Sequence, residues 1–278
     1  MRRRALLFLT ALTLCVSGCA EAPPAQTLPT ISEPPVSESA APETEEASLP
    51  LTMVCLGDSI TAGVFELIQV KYGYDYIYEP QEAYPARLQE LLEKAGANVT
   101  VVNAGVSGDT VSDGIDRLES DVFAYSPDIV TVCFGLNDVC TGDGELYRTD
   151  LSALFDTLRL RLPDAELIFM TPNMLATYVH PGTSVNRLNY SMALSNAAIM
   201  QSGELDRFMD IAREVCAEKE IPVCDAYAYW KEMADSGVDI TELLCTYVTH
   251  PTREMQTVFA ELLFPYVSAA LVRLRLQE

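Results

Sequence analysis

The chain is 278 residues long and 49% hydrophobic, with a formal net charge of −22 from 40 acidic and 18 basic residues. That balance argues against a nucleic-acid partner, because binding phosphates needs a basic footprint. Much of the charge reads as a solvated face that keeps the protein in solution, so it says little about a substrate.

Arg2, Arg3 and Arg4 form a basic start, and residues 5–16 form an apolar run too short to span a bilayer. Residues 1–18 therefore read as a targeting segment. The segment closes on Val16-Ser17-Gly18-Cys19, which resembles the lipobox of bacterial lipoprotein signal peptides. The resemblance implies cleavage before Cys19, acylation of that residue, and an extracytoplasmic protein anchored by lipid to the bacterial cell membrane. Residues 19–50 hold seven prolines and six glutamates and no Lys or Arg. Such a composition buries too little apolar surface to offset its ordering entropy, and predicts a disordered tether.

Residues 51–278 are long enough for one domain with a sizeable core. Apolar strand candidates fall at residues 53–56, 99–103, 129–134, 167–171 and 221–224, separated by longer amphipathic stretches at 82–95, 110–120, 145–162 and 190–219. A last helix is expected over 252–276, with Pro251 marking its start. Alternating short strands and longer helices predict an α/β fold, a three-layer α/β/α sandwich around a doubly wound, mostly parallel five-stranded sheet. In such a sheet reactive groups gather beyond the carboxyl ends of the strands.

Each strand end carries chemistry. The first runs into Gly57-Asp58-Ser59, a turn that can lift one hydroxyl from the sheet edge. The second ends in Asn103-Ala104-Gly105-Val106-Ser107-Gly108-Asp109-Thr110, whose glycines permit a tight turn with exposed N–H groups. Such groups suit an oxyanion; a plain tight turn and a phosphate cradle are the other readings, although no lysine and no Gly-x-Gly-x-x-Gly spacing accompany the loop. The third strand ends at Asn137, whose side-chain amide can face a developing negative charge; an ordinary Asn-Asp turn is the other reading. The chain has two histidines, His180 and His250. A histidine base is one of these: His250 stands just before the last helix, and His180 lies in an irregular segment after the fourth strand.

Gly57-Asp58-Ser59, Gly108, Asn137 and His250, in this order on these elements, resemble the SGNH (GDSL-type) hydrolase superfamily, and the resemblance covers nearly all of residues 51–278. It implies a serine esterase with Ser59 as nucleophile and His250 as base. It also implies an oxyanion hole built from the N–H groups of Ser59 and Gly108 and the amide of Asn137, with no metal or cofactor. The chain departs from the family pattern at Tyr247, where an aspartate usually stands three residues before the histidine. Tyrosine is not an anionic partner near neutral pH. Three readings stay open: a backbone carbonyl accepts the histidine Nδ1–H, a carboxylate such as Glu242 or Asp239 substitutes, or the site is weakened.

Tyr72, Tyr74, Tyr76, Tyr78 and Tyr84 crowd the segment after the nucleophile. Alternate tyrosines predict an extended ribbon or loop with one aromatic face, suited to a sugar ring or to ordinary packing. With a surface tether, this favours a cell-surface carbohydrate acetyl esterase acting on small-molecule or glycan esters. A short-chain esterase or lysophospholipase, and a glycan-binding lipoprotein without turnover, are the alternatives. Cys55 and Cys133 read as small buried hydrophobes. Cys140 and Cys245 fall in loops near the expected site, where a disulfide is compatible with an extracytoplasmic setting.

Overall fold

The computed structural model describes residues 50–276; the leader, Cys19 and nearly all of the tether lie outside them. The chain enters on β1 (Leu51–Gly57), turns through the short helix α1 (Ser59–Ala62), and runs out into an antiparallel hairpin of β2 (Val64–Val70) and β3 (Gly73–Tyr78). Helix α2 (Tyr84–Lys94) returns it to β4 (Val99–Gly105). Two short helices, α3 (Val111–Asp116) and α4 (Leu118–Asp121), precede β5 (Ile129–Cys133), and α5 (Gly144–Arg161) precedes β6 (Glu166–Met170). Then follow α6 (Arg187–Ser202), α7 (Glu204–Glu218), β7 (Val223–Cys224), α8 (Ala226–Asp235) and the closing α9 (Arg253–Arg275).

Five strands pair in the order β4-β1-β5-β6-β7, all parallel. Their sequences are near-continuous apolar runs because helices cover both faces of the sheet. Every residue of β5 is buried. Helices α2 and α9 pack together, as do α5 and α7, the two layers that crossovers in opposite directions from β1 produce. This is the doubly wound sandwich expected from the pattern. Helix α9 is long and apolar enough to cross a bilayer by length and composition, yet its Phe259, Leu263 and Val267 lie in the core.

Several elements differ from expectation. The stretch 190–219 is two helices, because Gly203 takes a left-handed conformation (φ 74°) that closes α6. The stretch 110–120 also divides, at Arg117. The extended ribbon expected over the tyrosines is β3, while its partner β2 and helix α8 are not among the expected elements. Among the described residues all six cysteines are free. The Cys140–Cys245 disulfide that the sequence left open is absent: the Cys140 thiol donates to the Leu136 carbonyl and the Cys245 thiol to that of Pro251. Cys55 and Cys133 are fully buried in the core.

Candidate active site

Strand β1 lies where the strand order reverses, flanked by β4 and β5, and such a switch point opens a crevice at the strand ends. The chain leaves β1 at Gly57, and the Asp58 carboxylate accepts the Ile60 N–H at 2.9 Å, which caps α1 and sets Ser59 at its first position. The neighbouring strand comes very close here. A Cβ on Gly105 would sit 2.1 Å from the Ala62 nitrogen, so only glycine lets α1 rest on the end of β4. Asn103 donates to the Thr61 carbonyl at 2.7 Å, and buried Gln256 of α9 donates to the Ile60 carbonyl at 3.1 Å while accepting the Tyr84 N–H at 2.8 Å.

His250 reaches Ser59 from the loop before α9, with Nε2 3.0 Å from Oγ. The loop is held along its main chain. Asn196 donates to the Val248 carbonyl at 2.9 Å, Asn173 to that of Thr249 at 2.8 Å, and Cys245 N–H to that of His250 at 2.7 Å. His250 is 8% exposed, and burial pushes its pKa down from 6.5 to about 4, against a hydrogen bond with the Phe65 backbone that raises it. A bond that favours the protonated ring is one in which the ring donates, so the Phe65 carbonyl is the acceptor. With Nε2 facing Ser59, Nδ1 is the nitrogen left to donate, and a donor there leaves Nε2 free to take a proton.

The Phe65 carbonyl is available because of a β-bulge. Val64 pairs with Tyr78 and Leu67 with Tyr76, leaving Phe65 and Glu66 opposite Ile77 alone. A bulge breaks the ladder locally and re-aims the groups it frees. The same hairpin brings Tyr76 edge-on to His250, ring centroids 6.4 Å apart. Tyr74, Tyr76 and Tyr78 alternate along β3, so they share one face, and each is exposed, as is Tyr72 at the turn.

Gly108 and Asn137 stand on the loops after β4 and β5. Gly108 takes φ +91°, a conformation that favours glycine. Among the described residues, neither its N–H nor that of Ser59 is committed to another acceptor. The Asn137 amide donates to the Asp109 carbonyl at 2.8 Å, which orients it beside the Gly108 loop. Arg117 braces that loop from beneath: it pairs with Asp109 at 2.7 Å and donates to the carbonyls of Ala104 and Gly57, each at 2.8 Å.

Neither carboxylate suggested as a partner for His250 is placed there. Glu242 bonds His180 Nε2 at 3.1 Å, and Asp239 accepts the Tyr178 hydroxyl at 2.8 Å. His180 also accepts the Gly182 N–H on Nδ1 at 3.0 Å, so both its ring nitrogens are committed away from Ser59. Tyr247, in the position of the usual aspartate, stacks on His180 with centroids 3.8 Å apart. Thr246 and Tyr247 hold φ values of +52° and +60°. Two such residues in the left-handed region, one β-branched, are strained, and strain of this kind collects at functional sites.

Two carboxyls beneath the site are unusual. Burial pushes Asp58 up to about 7, opposed by its bond from Ile60 and reinforced by Asp138 and Asp109. Burial likewise pushes Asp138 up to about 6, against the bond it accepts from Val111. Sequence reasoning missed Phe65, Arg117 and Gln256: the first acts through its main chain, and the others look like ordinary helix residues. The arrangement presents a hydroxyl to a neutral, oriented imidazole, with two main-chain N–H donors uncommitted nearby. That is the equipment for activating an oxygen nucleophile.

Residues 55–258 match the GDSL-like Lipase/Acylhydrolase family. An arylesterase from Vibrio mimicus is 32% identical over 90 residues, which are 32% of this chain and 39% of that protein. An acetylxylan esterase from Xylanibacter ruminicola is 31% identical over 118 residues, covering 39% of this chain and 22% of the other. An uncharacterized lipoprotein, YqeF of Bacillus subtilis, is 23% identical over 69% of this chain and 76% of its own length. Among solved structures, the lipase/acylhydrolase from Enterococcus faecalis superposes with a TM-score of 0.57 at 23% identity, over 79% of this chain and 96% of that one. The chain belongs to the GDSL-like lipase/acylhydrolase family.

Proposed function

We propose that the protein is a serine esterase that forms an acyl-Ser59 intermediate, with His250 as base and the Phe65 carbonyl in place of the third triad member. The observation that carries this reading is the 3.0 Å contact of Ser59 Oγ with His250 Nε2, on a ring whose other nitrogen is held by Phe65. In acylation the Ser59 oxygen bonds the ester carbon while its proton passes to Nε2. The carbon–oxygen bond to the alcohol then breaks, and the leaving oxygen takes that proton. Water repeats the sequence on the acyl-enzyme and restores Ser59. The N–H groups of Ser59 and Gly108 and the Asn137 amide would receive the oxyanion, one such donor being worth about 3 kcal/mol. A carbonyl dipole steadies the imidazolium less than a carboxylate does, so catalysis relies more on this hole.

The favoured substrate is an acetylated carbohydrate at the cell surface. The exposed tyrosine face beside His250 supports this, since tyrosine joins stacking area to a hydroxyl. So does the likeness to an acetylxylan esterase. The Val16-Ser17-Gly18-Cys19 sequence and the likeness to a lipoprotein support a leader over residues 1–18, a lipid anchor at Cys19, a tether over residues 19–50 and the hydrolase domain beyond it. The test is labelling of purified protein by a fluorophosphonate, with turnover of p-nitrophenyl acetate and acetylated xylo-oligosaccharides. Labelling and turnover that vanish in Ser59→Ala support the esterase; an unlabelled, inactive wild type would leave a glycan-binding lipoprotein. Preference for long acyl chains over acetyl would instead favour a lysophospholipase.

A further inference from the structure

The group that orients His250 is not on the sheet but on the β2–β3 hairpin, so something must hold the hairpin against the loop that carries the base. Arg253, three residues after His250 and first in α9, makes that connection. Its guanidinium donates to Glu79 at 2.6 Å, just past β3, and to Glu66 at 3.1 Å, within the bulge. Its central carbon lies 4.5 Å from the centroid of the Phe65 ring. A planar fork that pairs with carboxylates and stacks on an aromatic face is specific to arginine. One side chain thus grips β2, the chain just past β3 and the residue whose carbonyl meets His250. The strand's far side is pinned separately, by Asn186 and Asn189, which both donate to the Leu67 carbonyl at 3.2 Å.

We propose that Arg253 is a positioning residue for the base: by clamping Glu66, Glu79 and the Phe65 ring, it keeps the bulge carbonyl on Nδ1 of His250 and Nε2 aimed at Ser59. The proposal rests on the esterase reading for its kinetic consequences but not for its structural one. If Arg253 only braced the surface, its loss would cost little, since exposed ion pairs contribute little on their own. As a clamp on the base, its loss lets the imidazole turn, and a misplacement of about 1 Å costs on the order of a hundredfold in rate.

The experiment compares wild type with Arg253→Ala and Arg253→Lys by p-nitrophenyl acetate kinetics and by 15N NMR of the histidines. With two histidines in the chain, assignment is simple, and the wild type should show opposite tautomers, the proton on Nε2 in His180 and on Nδ1 in His250. Arg253→Ala should lower kcat about tenfold to a hundredfold with KM changed less than about twofold, and should mix the His250 tautomers while leaving His180 unchanged. Arg253→Lys, which keeps charge but not the fork, should fall between. A folded Arg253→Ala with wild-type kcat and an unmixed His250 signal overturns the proposal. If that variant does not fold, Glu66→Gln/Glu79→Gln loosens the clamp from the hairpin side, and the same readouts decide. A wild type without esterase activity would count against the proposed function alone, because the NMR comparison needs no turnover.

Discussion

The Phe65 carbonyl and the Ser59 hydroxyl meet the His250 ring at its two different nitrogens. The buried ring is held between a main-chain dipole and the nucleophile; burial sets its basicity and these two contacts its orientation.

The first consequence is the pH profile. Burial brings the His250 pKa down to about 4, and the base works only when neutral. Activity should therefore be lost as pH falls through about 4, instead of near the ordinary histidine value of about 6.5. Measuring kcat/KM for p-nitrophenyl acetate from pH 3.5 to 8 checks this. An acid limb with an apparent pKa near 6.5 would mean that the imidazole is better solvated, or anion-paired, in solution.

The two histidines should behave differently on substitution. His250→Ala removes the proposed base, with an expected loss of about a hundredfold to ten-thousandfold in kcat. His180 donates to Glu242 and accepts from Gly182, so His180→Ala should disturb its own loop and leave kcat within about fivefold, far less than removal of a general base. A larger kcat loss for His180→Ala than for His250→Ala would reverse the assignment.

The tyrosine face predicts a split by substrate. Tyr74→Ala and Tyr78→Ala remove exposed rings without touching the His250 contact. Each should raise KM for acetylated xylo-oligosaccharides about fivefold to tenfold, the worth of an aromatic contact of about 1 kcal/mol, while KM for p-nitrophenyl acetate stays put. Equal effects on both substrates would show that the rings serve the hairpin and not a glycan.

Asp58 makes a thermodynamic prediction. Its carboxyl is raised from 3.8 in the reference state to about 7 when folded. Between these values the folded protein holds a proton that the unfolded chain has released, so its contribution to stability falls as pH rises from about 4 to 7 and stays low above. Asp58→Asn keeps an acceptor for the Ile60 N–H and removes the charge. It should flatten that slope and raise stability at pH 8 by roughly 1–4 kcal/mol relative to wild type, measured by urea unfolding at pH 5 and pH 8. An unchanged pH slope would refute a buried, raised Asp58.

Much of the site could be read from the sequence because its parts follow parallel strands. A short apolar run ending in Gly57-Asp58-Ser59, or in Gly135-Leu136-Asn137, marks both a strand end and the side chain it delivers. What escaped lies off the sheet. The β2–β3 pairing rests on tertiary anchors at Leu67 and Glu66, and no Asn-Gly or Gly-Gly turn announces it. The displacement of Tyr247 depends on two left-handed residues without glycine, Thr246 and Tyr247, a conformation that no local propensity favours. The break at Gly203 was within reach, since glycine closing a helix has a plain signature.

A partner made of main chain has no codon of its own. Any residue at position 65 carries a carbonyl, so no single substitution there deletes the group that orients His250, whereas an aspartate in the usual position is one base change from loss. The vulnerability moves to length. Inserting or deleting one residue in β2 would remove the bulge or shift its phase, turning the carbonyl toward the opposite face while Ser59, Asn137 and His250 were all retained. In descendants of this chain, the hairpin's residue count should therefore vary less than its residue identities.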